Sequence, residues 1–445
     1  MRNVIAIFDV GKTNKKLFLF DEQYRIVWER SEVCAQTTDE DGDPCEDVLL
    51  LTGWVRRSLA QVAALPDFRI KAVNFSAYGA SLVHIGFDET PAAPLYNYLK
   101  PYPDELKRKF YDTYGGEVTF SMLTASPVLG SLNSGMQLYR IKERRPELFE
   151  AIKVSLHLPQ YIAYLVTGMP CSDITSIGCH TNLWNFAQQH YHEWVYREGV
   201  IDKLAPILPS ASVLPSAGAV AFPPGSLARP TANIPLAGIG LHDSSAALIP
   251  YLQSFRDPFV LISTGTWCIT LNPFNDAPLT VAELQKDCLC YMSYQGRPVK
   301  ASRLFAGAEH ERRVRQLADR FQKDPAYAAT VRYDADCVEV LRTRGTMDFD
   351  SFEQAYHRLM MDIMEQQVIS TQLVLHDTGV RRIFVDGGFG KNQLYMHLLA
   401  DAFPDTEVFA ASIPQATAMG AALAIHEHWN SHFPPADIIE LKYYR

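Results

Sequence analysis

Two short stretches of this chain share one pattern: an apolar strand, a polar turn holding glycine, and a second strand that returns. The first, Val4 to Phe20, reads VIAIFDVGKTNKKLFLF; the second, Phe259 to Leu271, reads FVLISTGTWCITL. An apolar run such as Val4-Ile5-Ala6-Ile7-Phe8 is that of a buried strand. Aligning Gly11 with Gly265 lays DVGKT over STGTW. Glycine at the turn lets the backbone approach a phosphate closely, and the turn N–H groups and the Thr13 hydroxyl supply donors. Lys12 and Lys15 would neutralise charge, and Asp9, which ends the first strand, can hold a metal through water. An ordinary solvated hairpin has the same residues. The second copy is what constrains the fold: such a repeat, once near the start and once past the middle, predicts two similar domains facing each other across a cleft.

A chain of 445 residues is long enough for two such domains with developed cores. Its hydrophobic content of 47% and charged content of 20% are those of a globular protein. The formal charge of -9 argues against general binding to nucleic acid or to an anionic membrane, so an anionic small substrate would need local cations such as Lys12 and Lys15. None of the eight cysteines forms a CxxC pair, and Cys268, Cys288 and Cys290 sit in apolar context. They are expected as buried, reduced thiols in a cytoplasmic protein. The first apolar run is too short for a signal peptide, and no run is long enough to span a membrane.

Taken in order, Tyr24–Val33 reads as a third strand and 46–65 as a helix with Leu51, Val55, Leu59 and Val62 on one face. Arg69–Phe75 is a strand running into the turn Ser76–Ser81, a place where sites collect in α/β folds. The Pro- and Tyr-rich stretch 91–103 either stacks on a sugar ring through Tyr96, Tyr98 and Tyr102 or merely cements a loop. Helices are expected over 105–114, 132–144, 148–153, 159–167 and 184–200, and 171–182 as a polar loop. His190 and His192 read as a surface pair, since no further ligand stands at metal spacing. Val213–Pro235 reads as loops and short strands near a domain boundary. Ile234–Ile239 is a strand, GLHD follows, and Asp243 stands where strand meets helix, a usual place for an N-cap. Helices follow over 309–321 and 352–375. The strand RIFV at 382–385 runs into Asp386-Gly387-Gly388-Phe389-Gly390-Lys391-Asn392 and a helix over 393–403. Glycines there let a flat ring or ribose lie against the backbone. A strand at 406–410 and a helix at 416–426, with small residues Ala416, Gly420, Ala421 and Ala424, complete the order. Hairpin, strands and helices, twice over, predict two α/β domains with mixed sheets.

DVGKTN, GLHDSSAA, STGTW, VDGGFGKN and ATAMGAALA, in this order across residues 1 to 430, resemble the FGGY carbohydrate kinases of the actin-like, Hsp70-like and sugar kinase superfamily. SAYGASLVHIGFD, LHDSSAALIP and LISTGTW look most like the rhamnulokinase branch. Two departures stand out. The sugar loop PLYNYLK carries Tyr96, Tyr98 and Lys100 where the family has an aromatic, an acid and an arginine. The central helix opens with Pro159-Gln160 in place of a dipeptide ending in aspartate.

The resemblance implies two actin-like (ribonuclease H-like) domains, each a mixed β-sheet flanked by helices, with the active site in the interdomain cleft. The N-terminal domain would span 1–243, the C-terminal domain 244–430, and 431–445 would form a tail. It implies ATP and Mg²⁺ as cofactors and a ketose as substrate, a 6-deoxy ketohexose such as L-rhamnulose or L-fuculose. A pentulose is the alternative, as is a nucleotide-binding module with no acceptor. Asp243 would be the general base and Asp9 the Mg²⁺ anchor. Gly11, Lys12, Thr13, Asn14 and Lys15 would form the first phosphate hairpin and Thr264, Gly265 and Thr266 the second. Gly387, Gly388 and Asn392 would form the adenosine shelf, and Ser76, Tyr78, Gly79 and Tyr96 the sugar contacts. Closure about a hinge near 243–258 is implied as well, in a monomer or a homodimer.

Overall fold

The computed structural model describes residues 1–216, 234–344, 349–376 and 378–445. Most of the expected Val213–Pro235 loop region therefore lies outside the described residues. The chain forms two compact units: Met1–Ser254 with Cys290–Pro298 and Pro414–Ile438, and Phe255–Leu289 with Val299–Ile413 and Ile439–Arg445. Among the described residues no helix is long and apolar enough to cross a membrane.

In the first unit, strand Arg2–Val10 pairs antiparallel with Asn14–Asp21, which pairs antiparallel with Ile26–Val33. On its other side Arg2–Val10 runs parallel to Phe68–Ala77, and that strand runs parallel to Leu236–Gly238 and Leu241–His242. Arg2–Val10 and Phe68–Ala77 are buried on both faces over most of their length, which explains their apolar runs, whereas the edge strand Ile26–Val33 is partly buried or exposed. Phe8 sets its ring edge-on to Trp54 at 5.4 Å and stacks with Phe75 at 5.9 Å. Trp54 comes from helix Val48–Ala63, where Asp47 accepts from the N–H groups of Leu49 and Leu50 and so starts the helix. Helix Leu158–Thr167 stops at Gly168, which takes a φ of 68°.

Helix Asp243–Ser254 packs on helix Ala416–Ala424. A Cβ at Gly420 would lie 1.8 Å from the Ala246 carbonyl oxygen, so only glycine permits this approach. Asn74 ties the layers together: its amide donates to the Ala421 carbonyl at 2.8 Å and accepts from the Gly240 N–H at 3.2 Å.

The second unit repeats the plan. Phe259–Thr264 is antiparallel to Cys268–Asn272, which pairs with Pro298–Leu304. On its other side Phe259–Thr264 runs parallel to Arg382–Gly387, and that strand runs parallel to Glu407–Ser412.

Four expectations need correction. Residues 184–200 are not one helix: Trp184–Asn185 and His190–Tyr191 form a small hairpin, and only Glu193–Arg197 is helical. Asn185 accepts from the N–H groups of Ala187 and Gln188, a local turn that competes with helix. His192 is buried and caps that short helix, so it is not half of a surface pair. The stretch 171–182 is largely buried and contains helix Ile174–Ile177. Within the expected tail, Glu440–Tyr444 is a strand paired antiparallel with Glu407–Ser412.

Candidate functional site

The first unit gathers its polar groups where parallel strands end. Asp9 lies opposite Ser76, and Ser76 lies opposite Leu241. That third strand ends at His242 and Asp243 opens the helix that follows, and in open α/β sheets ligands bind outside such carboxyl ends. Asp9 is partly buried, and Thr417 donates to its Oδ2 at 2.9 Å. Burial, with a contribution from the negative charge of Asp243, pushes its carboxyl up to about 6 in spite of the Thr417 bond.

Asp243 opens its helix. Its Oδ1 accepts from the Ser244 N–H at 2.6 Å and lies 3.3 Å from His242 Nε2, while about a third of the side chain is exposed. His242 is buried and its imidazole is held below its ordinary value by burial, so it is neutral beside Asp243. Gly79 fits against that ring: a Cβ there would stand 2.7 Å from it. The backbone of His242 donates to the Thr175 hydroxyl at 3.0 Å, and Thr175 donates to the buried Asp173.

At the hairpin tip the Gly11 N–H donates to the Asn14 carbonyl at 2.9 Å, and Thr13 and Asn14 are exposed. The two lysines differ. Lys15 is turned into the unit, paired with Glu46 and donating to the carbonyls of Gly11 and Lys12 at 3.0 and 3.1 Å. Lys12 lies over the rings of Tyr78 and Tyr98 at 5.1 and 4.9 Å, and burial pushes its ammonium down.

Of the expected sugar contacts, Ser76, Tyr78 and Tyr96 are buried, and Gly79 is partly exposed. Tyr78 donates to Glu46, and Tyr96 donates to Glu40. Glu46 thus joins Lys15 to Tyr78, a role no motif pointed to. Tyr98 is more open than Tyr78 and 6.0 Å from it ring to ring. Burial and then the charge of Asp243 push its phenol up, which places Tyr98 in the field of the expected base. Lys100 is directed elsewhere: buried, it contacts Asp39, Asp41 and Asp43 at 2.5, 2.7 and 3.0 Å.

The second unit holds a cavity of about 700 Å³, within the range of small-molecule pockets. Thr264, which lines it, faces Gly387 on the neighbouring strand, and Gly387 itself is not part of the lining. The Thr264 hydroxyl donates to the Asp386 carbonyl at 2.5 Å and accepts from the Phe389 N–H at 3.0 Å. A Cβ at Gly387, whose φ is +89°, would lie 2.0 Å from the Thr264 carbonyl oxygen. The Ala308 N–H donates to the Thr266 carbonyl at 3.1 Å, tying the second turn to helix Ala306–Phe321. Gly265, Gly388 and Asn392 line the cavity, as expected positions, together with Val314, Ala328 and Arg332, which no motif marked. Helix Ala306–Phe321 gives the pocket Gly307, His310, Glu311, Val314 and Arg315, and its charge along the whole length reads in sequence as an ordinary solvated helix.

The N-terminal domain family of the FGGY carbohydrate kinases matches residues 4–249, and the two FGGY C-terminal domain families match 256–357 and 354–425. The chain belongs to the FGGY family of carbohydrate kinases. It is therefore a phosphotransferase, an ATP-dependent carbohydrate kinase.

Among solved structures, a carbohydrate kinase from Novosphingobium aromaticivorans superposes with a TM-score of 0.79 at 24% identity, over 99% of this chain and 94% of that one. A ligand-bound xylulose kinase from Lactobacillus acidophilus gives 0.79 at 17%, over 99% and 93%. A Plasmodium falciparum glycerol kinase with ADP gives 0.75 at 17%, over 96% and 90%. These likenesses establish the fold. No curated protein matches the chain. None of the three structures is a rhamnulose kinase by its description, so the branch expected from the sequence rests on the motifs alone.

Proposed function

We propose that this kinase transfers the γ-phosphate of ATP, with Mg²⁺, to a hydroxyl of a ketose, and that the ketose is a 6-deoxy ketohexose such as L-rhamnulose or L-fuculose. The carboxylate pair at the strand ends of the first unit carries the reading. Asp243 has Oδ1 fixed by the Ser244 N–H, which leaves its other oxygen to accept a proton. A positioned carboxylate of this kind suits a general base. In the proposed step the acceptor oxygen bonds to the γ-phosphorus and its proton passes to Asp243. The bond from the γ-phosphorus to the bridging oxygen breaks, and ADP leaves.

Asp9 would hold Mg²⁺. The fit is electrostatic: Asp9 is raised by burial and by Asp243, and a divalent cation would relieve both penalties. Once bound, the ion would neutralise phosphate charge. Gly11, Lys12, Thr13 and Asn14 are assigned to phosphate, with Lys15 bracing their turn from inside. Thr264, Gly265 and Thr266 are likewise assigned to phosphate, and Gly387, Gly388 and Asn392 to the nucleoside. Gly387, packed against Thr264, Gly388, open beside it, and a cavity of about 700 Å³ support that assignment. The division into a sugar-binding half, 1–243, and a nucleotide-binding half, 244–430, belongs to the same proposal.

For the acceptor, the exposure of Gly79 and Tyr98 favours them as direct contacts, with Ser76, Tyr78 and Tyr96 supporting from behind. A pentulose is the second candidate, favoured by the likeness to a xylulose kinase. An ATP-coupled assay over ketoses and polyols tests the reading. Turnover confined to 6-deoxy ketohexoses is expected. Turnover confined to pentuloses would transfer the assignment to them, and none with any ketose would refute it.

A further inference from the structure

The second unit's cavity holds a hydrogen-bond relay whose protons can be assigned from the chemistry of its members. Asn392 caps helix Gln393–Ala402, its Oδ1 accepting from the Tyr395 N–H at 3.1 Å. With the amide oxygen so used, Nδ2 is the donor on the other side. That nitrogen lies 2.7 Å from the Tyr356 hydroxyl, whose oxygen therefore accepts. The phenol keeps one proton to give, and His310 Nε2 stands 3.0 Å away. Nε2 is then the acceptor.

Burial holds the His310 imidazole below its ordinary value, so the ring is neutral and carries one proton. With Nε2 accepting, that proton sits on Nδ1. Among the described residues Nδ1 has no hydrogen-bond partner. The ring also stands edge-on to Phe389, 5.3 Å away at 89°, so its plane is fixed from two sides. His310 and Tyr356 both line the cavity, together with apolar Val314 and Ala328 and charged Glu311, Arg315 and Lys391.

We propose that His310 recognises the nucleoside: its Nδ1–H, held in that tautomer by Asn392 through Tyr356, donates to a ring nitrogen of the purine. The identity of the ligand rests on the kinase reading above; the tautomer does not. A fixed donor on this wall favours a flat ring with an acceptor at its edge and disfavours one without it, because the donor would then be left unpaired against the ligand.

Two measurements on the full chain, without sugar, test this. Nitrogen–proton correlation spectra of histidine-labelled protein report the tautomer, with His310 assigned from the signals lost in His310→Phe. A proton on Nδ1 is expected; a proton on Nε2 overturns the proposal. Calorimetric titration with ADP should give about tenfold weaker binding in His310→Phe, the worth of one hydrogen bond to a neutral group. Tyr356→Phe keeps the packing but removes the relay; it should mix the two tautomers and weaken ADP about threefold. ADP bound equally well by wild type and His310→Phe overturns this inference and leaves the kinase reading standing. No ADP binding by the wild type overturns both. Should His310→Phe fail to fold, Tyr356→Phe decides through its ADP affinity, and an unchanged affinity overturns the inference.

Discussion

Thr417 donates its hydroxyl to Asp9 Oδ2 at 2.9 Å, joining residues 408 positions apart in the chain. The bond works against burial and the charge of Asp243, which together carry Asp9 to about 6. Removing it should carry Asp9 higher still. Thr417→Val is expected to raise the Mg²⁺ concentration for half-maximal activity about fivefold near pH 7, and by less near pH 8.5, where Asp9 is ionised in either protein. Mg²⁺ titrations at the two pH values check this. Identical curves would separate Asp9 from the metal.

Adjacent glycines make opposite predictions. Gly387 has a φ of +89° and no room for a Cβ, so Gly387→Ala should lose ~2 kcal/mol or more of stability. Gly388 has helical φ and ψ of -61° and -47°, with nothing within 4 Å of a Cβ. Gly388→Ala should leave stability within ~0.5 kcal/mol and raise KM for ATP, because the methyl enters the cavity. Thermal melts and ATP kinetics on both variants separate packing from binding.

Lys100 sits among Asp39, Asp41 and Asp43, whose carboxylate oxygens lie within 4.8 Å of one another. Lys100→Met would leave like charges facing each other. It should cost ~3 kcal/mol and free the loop that carries Tyr98, raising KM for the acceptor. Restoring stability with Asp39→Asn in the same chain would show that repulsion is the cause. A variant as stable as wild type would mean the cluster is solvated and idle.

His84 and His157 are fully buried, and burial pushes both imidazoles to about 3. In the unfolded chain they titrate near 6.5, so unfolding takes up protons below that value. Their stabilising contribution is complete above about pH 6.5 and is lost as pH falls toward 3. Between about pH 6.5 and 4.5 each should cost roughly 2–3 kcal/mol. His157→Gln should flatten the acid limb of a denaturant midpoint profile by about that amount. An unchanged limb would mean that His157 takes up its proton in the folded chain.

The repeated hairpin was legible because strand periodicity and turn chemistry are local. So were the strand ends at Asp9 and Asp243 and the glycines at 387 and 388. What escaped was set by distant neighbours. Lys15 looks like a phosphate ligand until Glu46, on a separate strand, claims its ammonium. The resemblance implies Tyr78 and Tyr96 as sugar contacts, yet their hydroxyls are spent on Glu46 and Glu40, and Tyr98 is the more exposed ring. His192 is drawn inside by the aromatic cluster, packing on Phe120 at 4.6 Å. The strand Glu440–Tyr444 carries only a short apolar signal and exists because Glu407–Ser412 offers it an edge.

The most direct test of the central claim is single-turnover phosphoryl transfer by Asp243→Asn with the best ketose. The amide keeps the shape and can still accept from the Ser244 N–H, but it is no base. Transfer should fall by about 10²–10⁴-fold while ADP affinity stays within about twofold. Transfer within about threefold of wild type would contradict the assignment of Asp243 as the base.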